Sequence, residues 1–133
     1  MKITRIAVIL LLGILLLSGF ACSSGPKEVY VDASYSGEEV TLAVGDSLIV
    51  TLESNPTTGF MWSLEENSDE SVLQEAGQEF EPSPTPAAGA GGEEVWTFNA
   101  LSEGTSTISM EYKRSWEEDT EPAETFGLTV VVE

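Results

Sequence analysis

Few residues in this chain could carry chemistry. Its 133 residues include no histidine, and the only cysteine is Cys22. That removes His-based triads, Cys–His pairs and His-containing zinc sites. Carboxylates are plentiful, 23 against five Lys and Arg, and a carboxylate pair can act as general acid and base. These acids are scattered along the chain, and no pattern buries a pair so as to shift its pKa. Glu117-Glu118-Asp119 lacks the ordered spacing of a calcium loop and reads as a solvated acidic segment. Gly89-Ala90-Gly91-Gly92 lacks the Lys-Ser/Thr ending of a phosphate loop and precedes a strand pattern, not a helix. No metal, no cofactor and no enzymatic activity are expected.

Three segments have compositions suited to binding. Asn55-Pro56-Thr57-Thr58-Gly59-Phe60 is the first. Asn before Pro favours a turn or an extended entry. Pro56 fixes its own φ, Thr57 and Thr58 are stiff at χ1, and Gly59 opens backbone geometry closed to other residues. A tight, rigid loop exposing two hydroxyls is expected; an ordinary inter-strand turn would not need the Thr-Thr pair. The second segment, residues 81–94, is rich in Pro, Ala and Gly and contains Gly89, Gly91 and Gly92. The third begins Lys113-Arg114-Ser115-Trp116 and then turns acidic. The polar neighbours of Trp116 argue that its indole is exposed, not packed at a strand end.

Strands must position these segments. Val40, Leu42 and Val44 alternate with Thr41 and Ala43, and Leu48, Val50 and Leu52 with Ile49 and Thr51. Further period-two sets are Phe60/Trp62/Leu64, Trp96/Phe98/Ala100, Ile108/Met110/Tyr112 and Phe126/Leu128/Val130/Val132. Such alternation, broken by turns at Gly45-Asp46 and Glu103-Gly104, predicts half-buried strands. Residues 72–80 are less regular and are expected to hold one or two short edge strands. Helical periodicity is absent, so the fold class is all-β: an antiparallel β-sandwich, of a length that suits one domain of immunoglobulin-like size. Trp62, Trp96, Phe98 and Phe126 are assigned to its core.

The N-terminus reads differently. Two positive charges, Lys2 and Arg5, precede an apolar run from Ile6 to Leu17 and small residues before Cys22. This is the pattern of an export signal. An uncleaved anchor is disfavoured, because the run is short for a span and interrupted by Gly13, Ser18 and Gly19. Residues 1–21 are therefore expected to be a signal peptide, 22–37 a tether beginning at a lipidated Cys22, and 38–133 one binding domain. A cleaved signal with an incidental Cys22 is the alternative, since Gly19 stands where lipoprotein signals usually carry Leu. The protein is expected outside the cytoplasm, anchored at Cys22 or secreted.

Charge narrows the partners. Beyond residue 22 only Lys27, Lys113 and Arg114 oppose the acids. Nucleic acid and anionic lipid would be repelled, so any membrane attachment is expected through the N-terminus alone. Solubility explains the scattered charge better than steering toward a basic partner. A monomer is expected.

Asn55-Pro56-Thr57-Thr58-Gly59-Phe60, followed by Trp62, resembles the hallmark loop of the chagasin-type inhibitors of papain-family cysteine peptidases. Gly89-Ala90-Gly91-Gly92 with the strand after it is similar to that family's Gly-x-Gly-Gly loop. Arg114-Ser115-Trp116 is similar to its Arg-Pro-Trp/Phe loop, with Ser115 where Pro is usual. The resemblance covers residues 38–133. It implies an immunoglobulin-like fold with the three loops side by side, and tight, reversible occlusion of a papain-type peptidase without chemistry. Thr57 and Thr58 would lie nearest the enzyme's catalytic centre, and Gly89, Gly91 and Gly92 would let main chain approach the non-primed side. Trp116 would lie on the primed side, with Arg114 supporting that loop or touching the enzyme. The competing reading is a surface module that adheres to a protein or glycan on the same scaffold, which would not require all three motifs together.

Overall fold

A computed structural model describes residues 25–84 and 91–133. The expected signal peptide, Cys22 and Gly89 lie outside the described residues. Eight strands follow one another: β1 (Glu28–Val31), β2 (Glu39–Leu42), β3 (Ser47–Ser54), β4 (Phe60–Asn67), β5 (Leu73–Pro82), β6 (Gly92–Ala100), β7 (Gly104–Arg114) and β8 (Glu124–Val132). They form two four-stranded sheets, ordered β1-β3-β6-β5 and β2-β8-β7-β4. The only helical pieces among the described residues are single 3-10 turns at Ala33–Tyr35 and Pro56–Thr58.

Alternation sets the core. Leu48, Val50 and Leu52 of β3 point inward, as do Trp96, Phe98 and Ala100 of β6, and all are buried. Ile108 and Met110 of β7 meet them from the other sheet with Phe126, Leu128, Val130 and Val132 of β8. Successive side chains of a strand face opposite sides, so one apolar residue in two suffices to build an interior between two sheets. Trp62 belongs to this core as expected, and its indole N–H donates to the Glu53 carbonyl at 2.9 Å.

The structure differs in detail at three places. The sandwich is mixed: the outer strands β1 and β2 pair parallel with β3 and β8, while all other pairings are antiparallel. Within the segment expected to be tether, Glu28–Val31 form β1 and Ala33–Tyr35 a 3-10 turn. β1 pairs along Ser47–Val50, and the Ser47 N–H donates to the Lys27 carbonyl at 2.9 Å. Four residues with one fully buried side chain, Val31, are too short for periodicity to register. Residues 72–80 hold one edge strand, within the expected one or two, but it is long: they supply most of the ten-residue β5. As an edge strand it buries only Leu73 fully, and its pairing with β6 slips between Glu75 and Gly77. That slip is what breaks the alternation.

One cross-over and two strand pairings position the loops. The chain passes from one sheet to the other between β3 and β4, at residues 55–59. Within the second sheet, β4 pairs antiparallel with β7 so that Phe60 faces Arg114. Within the first, β3 pairs antiparallel with β6 so that Ser54 faces Gly92. The three candidate segments therefore leave their strands at one end of the sandwich.

Candidate functional site

The first loop is tied to itself. Asn55 caps the 3-10 turn, its Oδ1 accepting from the Thr57 hydroxyl at 2.6 Å and from the Thr57 N–H at 3.3 Å. The Asn55 carbonyl accepts from the Thr58 N–H at 3.0 Å and from the Thr58 hydroxyl at 2.6 Å. Gly59 closes the turn with φ of 87°, its N–H donating to the Pro56 carbonyl at 2.9 Å. This left-handed conformation is what glycine is needed for. Thr57 and Thr58 are exposed, as the sequence implies, but their hydroxyl protons are spent inside the loop. Rigidity, more than free hydroxyls, is what the Thr-Thr pair supplies.

The third loop braces the first. Arg114, at the end of β7, donates through Nε to the Thr58 carbonyl at 3.0 Å. Its guanidinium carbon lies 4.3 Å from the centroid of the Phe60 ring, a cation–π contact. Phe60 is half-buried and stacks on Tyr112 at 5.4 Å, so it supports the loop from below. Ser115 and Trp116 occupy the centre of a turn in which the Glu117 N–H donates to the Arg114 carbonyl at 3.1 Å. A 3.5 Å Arg114–Glu117 ion pair spans the same turn. Trp116 is 66 % exposed, which fits a contact residue and excludes a core role. Its indole fills the space where a side chain on Gly59 would sit, with Cζ2 3.0 Å from the Cβ position.

The second loop approaches the first through glycine. A Cβ on Gly91 would lie 2.6 Å from the Ser54 carbonyl oxygen and 3.1 Å from the Asn55 Cβ. Gly92 is flanked on both sides, by Ser54 in β3 and Pro82 in β5. A Cβ there would collide with the Glu81 carbonyl. Gly91 and Gly92 are thus required by close packing of main chain on main chain.

Two residues at this end had no site role assigned from the sequence. The Tyr112 hydroxyl accepts from the Asn55 N–H at 2.8 Å, while its ring lies 5.4 Å from Phe60 and 5.1 Å from Trp62. Glu94 is fully buried, and its carboxylate accepts from Ser54, Trp62, Gln78 and Trp96. The signal for both is parity: Tyr112 continues Ile108 and Met110, and Glu94 precedes Trp96 and Phe98 on the same inward face. Among the described residues no cluster of His, Cys, Asp or Glu is arranged to hold a metal ion.

Residues 41–130 match the chagasin family, described as "Chagasin family peptidase inhibitor I42", and that span contains all three loops. The chain belongs to the chagasin family of peptidase inhibitors. Chagasin from Trypanosoma cruzi is 33 % identical over 102 residues, covering 74 % of this chain and 92 % of its own. Amoebiasin-2 from Entamoeba histolytica is 30 % identical over 91 residues, covering 68 % of this chain and 74 % of its own. Among solved structures, the cysteine protease inhibitor EhICP2 from Entamoeba histolytica superimposes with a TM-score of 0.73 at 20 % identity. It covers 84 % of this chain and all of that one. That likeness supports the fold, and the sequence relatives support the family.

Proposed function

We propose that this protein inhibits papain-type cysteine peptidases by filling the active-site cleft with the three loops at residues 55–60, 89–92 and 114–116. The observation that carries this reading is the interlocking of the loops: Arg114 bonds Thr58, Trp116 covers Gly59, and Gly91 abuts Ser54 and Asn55. A surface locked before binding loses little conformational entropy when it docks. Trp and Arg, both present in the third loop, are residue types that dominate interface energies.

The same geometry explains why the loop would block without being cut. Nucleophilic attack needs a substrate carbonyl whose carbon faces the attacking atom and whose oxygen is free to meet the enzyme's oxyanion donors. Here the carbonyls of Asn55, Pro56 and Thr58 are all engaged within the inhibitor, and the turn is 3-10, not extended. Thr57 and Thr58 would lie against the catalytic centre, with Gly89, Gly91 and Gly92 on the non-primed side and Trp116 on the primed side. The domain acts as a passive plug and performs no catalysis of its own. We place it outside the cytoplasm, held at the membrane by a lipid on Cys22, and mass analysis of the native N-terminus tests this. A lipid adduct on Cys22 is expected; an unmodified thiol or an intact leader would refute it.

Cleft occupancy is tested by competition. Recombinant Ser23–Glu133 should co-elute with papain on gel filtration, and should fail to do so once a covalent peptide-like inhibitor fills the papain cleft. Co-elution with the filled enzyme would place the contact elsewhere and overturn the proposal.

A further inference from the structure

Glu94 is fully buried, yet among the described residues no Lys or Arg forms an ion pair with it. Its four hydrogen-bond partners among the described residues are neutral donors. Oε2 accepts from the Ser54 hydroxyl at 2.6 Å and from the Trp62 backbone N–H at 3.0 Å. Oε1 accepts from the Gln78 amide at 3.2 Å and from the Trp96 indole N–H at 3.3 Å. A buried carboxylate is costly unless its lone pairs are satisfied, and an apolar side chain would fill a sandwich core without that cost.

The location gives the carboxylate a use. Ser54 is the last residue of β3, directly before Asn55. Trp62 is the third residue of β4, directly after the loop returns. Oε2 thus holds both legs of the first loop, one in each sheet. β4 is the edge of its sheet, so the Trp62 N–H, directed away from β7, finds Glu94 instead of a neighbouring strand. Glu94 itself stands two residues beyond Gly92, on the strand that leaves the second loop. One side chain therefore joins the first loop's two legs to the root of the second.

We infer that Glu94 is a positioning residue for inhibition: it fixes the spacing and tilt of the first loop against the second, and touches no peptidase. Part of this inference, the effect on inhibition, rests on the proposed function; the effect on the loop does not. Glu94→Gln keeps the shape but supplies one acceptor oxygen for two N–H donors on opposite sides, the Trp62 backbone and the Trp96 indole. One of them must lose its partner.

The test combines amide hydrogen exchange with papain inhibition, using Ser23–Glu133, Glu94→Gln and Ser54→Ala. Glu94→Gln should speed exchange at Asn55, Thr58 and Gly59 at least tenfold, leave Ile108 and Leu128 unchanged, and raise the papain Ki at least tenfold. Ser54→Ala removes a single donor and should give the same local pattern at smaller amplitude; it decides the matter if Glu94→Gln does not fold. Uniform acceleration across the domain, or unchanged loop exchange, would show a purely structural role and overturn the inference. So would an unchanged Ki against a wild-type domain that inhibits. If the wild-type domain does not inhibit papain, the proposed function fails, and the exchange pattern alone decides whether Glu94 positions the loop.

Discussion

The indole of Trp116 lies across Gly59, in the space that any larger residue at position 59 would need. Two loops distant in sequence are joined there through one missing side chain. Gly59→Ala should therefore act twice. The φ of 87° becomes strained for an L-residue, destabilising the domain by about 1 kcal/mol. The new methyl also pushes Trp116 away, since the neighbouring atoms belong to an exposed side chain that can move. Urea unfolding measures the first effect. A weaker papain complex, with a Ki raised at least tenfold, measures the second.

Ser115 stands at the second position of the Arg114–Glu117 turn. That is the position at which Pro is favoured in the common β-turns. The hydrogen bond and the Arg114–Glu117 ion pair close the turn without it. Ser115→Pro should restrict the unfolded chain and raise stability by about 0.5 kcal/mol. It should also tighten papain binding a few-fold by holding Trp116 in place. An unchanged or lower urea midpoint would show that the turn is incompatible with Pro.

Trp116→Ala separates binding from folding. The side chain is 66 % exposed, so its loss should leave the urea midpoint nearly unchanged. Its loss from the interface should appear as faster dissociation from papain, with association little altered. Stopped-flow displacement distinguishes the two rates. An unchanged off-rate would mean that the third loop is not engaged.

Much of this was legible in the sequence because sandwiches repeat one rule. Period-two alternation identified the strands of the core, and Trp62, Trp96, Phe98 and Phe126 are buried as it predicts. The loops were legible because Pro, Gly and Trp at those positions have few other uses. β1 was not legible, since its four residues are held by pairing with β3 and bury little of their own surface. The ten-residue β5 was obscured by its edge position and its register slip. Glu94 went unread although its parity places it inward, because a carboxylate on an inward face contradicts the composition rule that defines such a face. The inward-turned hydroxyls of Thr57 and Thr58 depend on the capping of the turn by Asn55, which spacing alone does not reveal.

Asp46 predicts the acid limb of stability. Backbone N–H groups of Ala43 and Lys27 donate to its buried carboxylate at 2.9 and 3.1 Å and, with the Lys27 ammonium, hold it below the ordinary aspartate value of 3.8. A depressed folded value means that the ionised form favours the native state. Its contribution is fully present above the unfolded value and is lost as pH falls through the folded one. Urea midpoints of the wild type should fall below about pH 4. Asp46→Asn should be less stable at neutral pH and less sensitive to acid. Equal acid sensitivity in both would place the effect on other carboxylates.

Stoichiometric inhibition tests the central claim most directly. Papain of known active-site concentration is titrated with Ser23–Glu133 and assayed with a fluorogenic peptide substrate. The expected result is a linear loss of activity reaching zero at one inhibitor per enzyme, reversed on dilution, with the domain recovered uncut by mass spectrometry. Undiminished activity of papain and of cathepsin-type enzymes at micromolar domain would contradict the account.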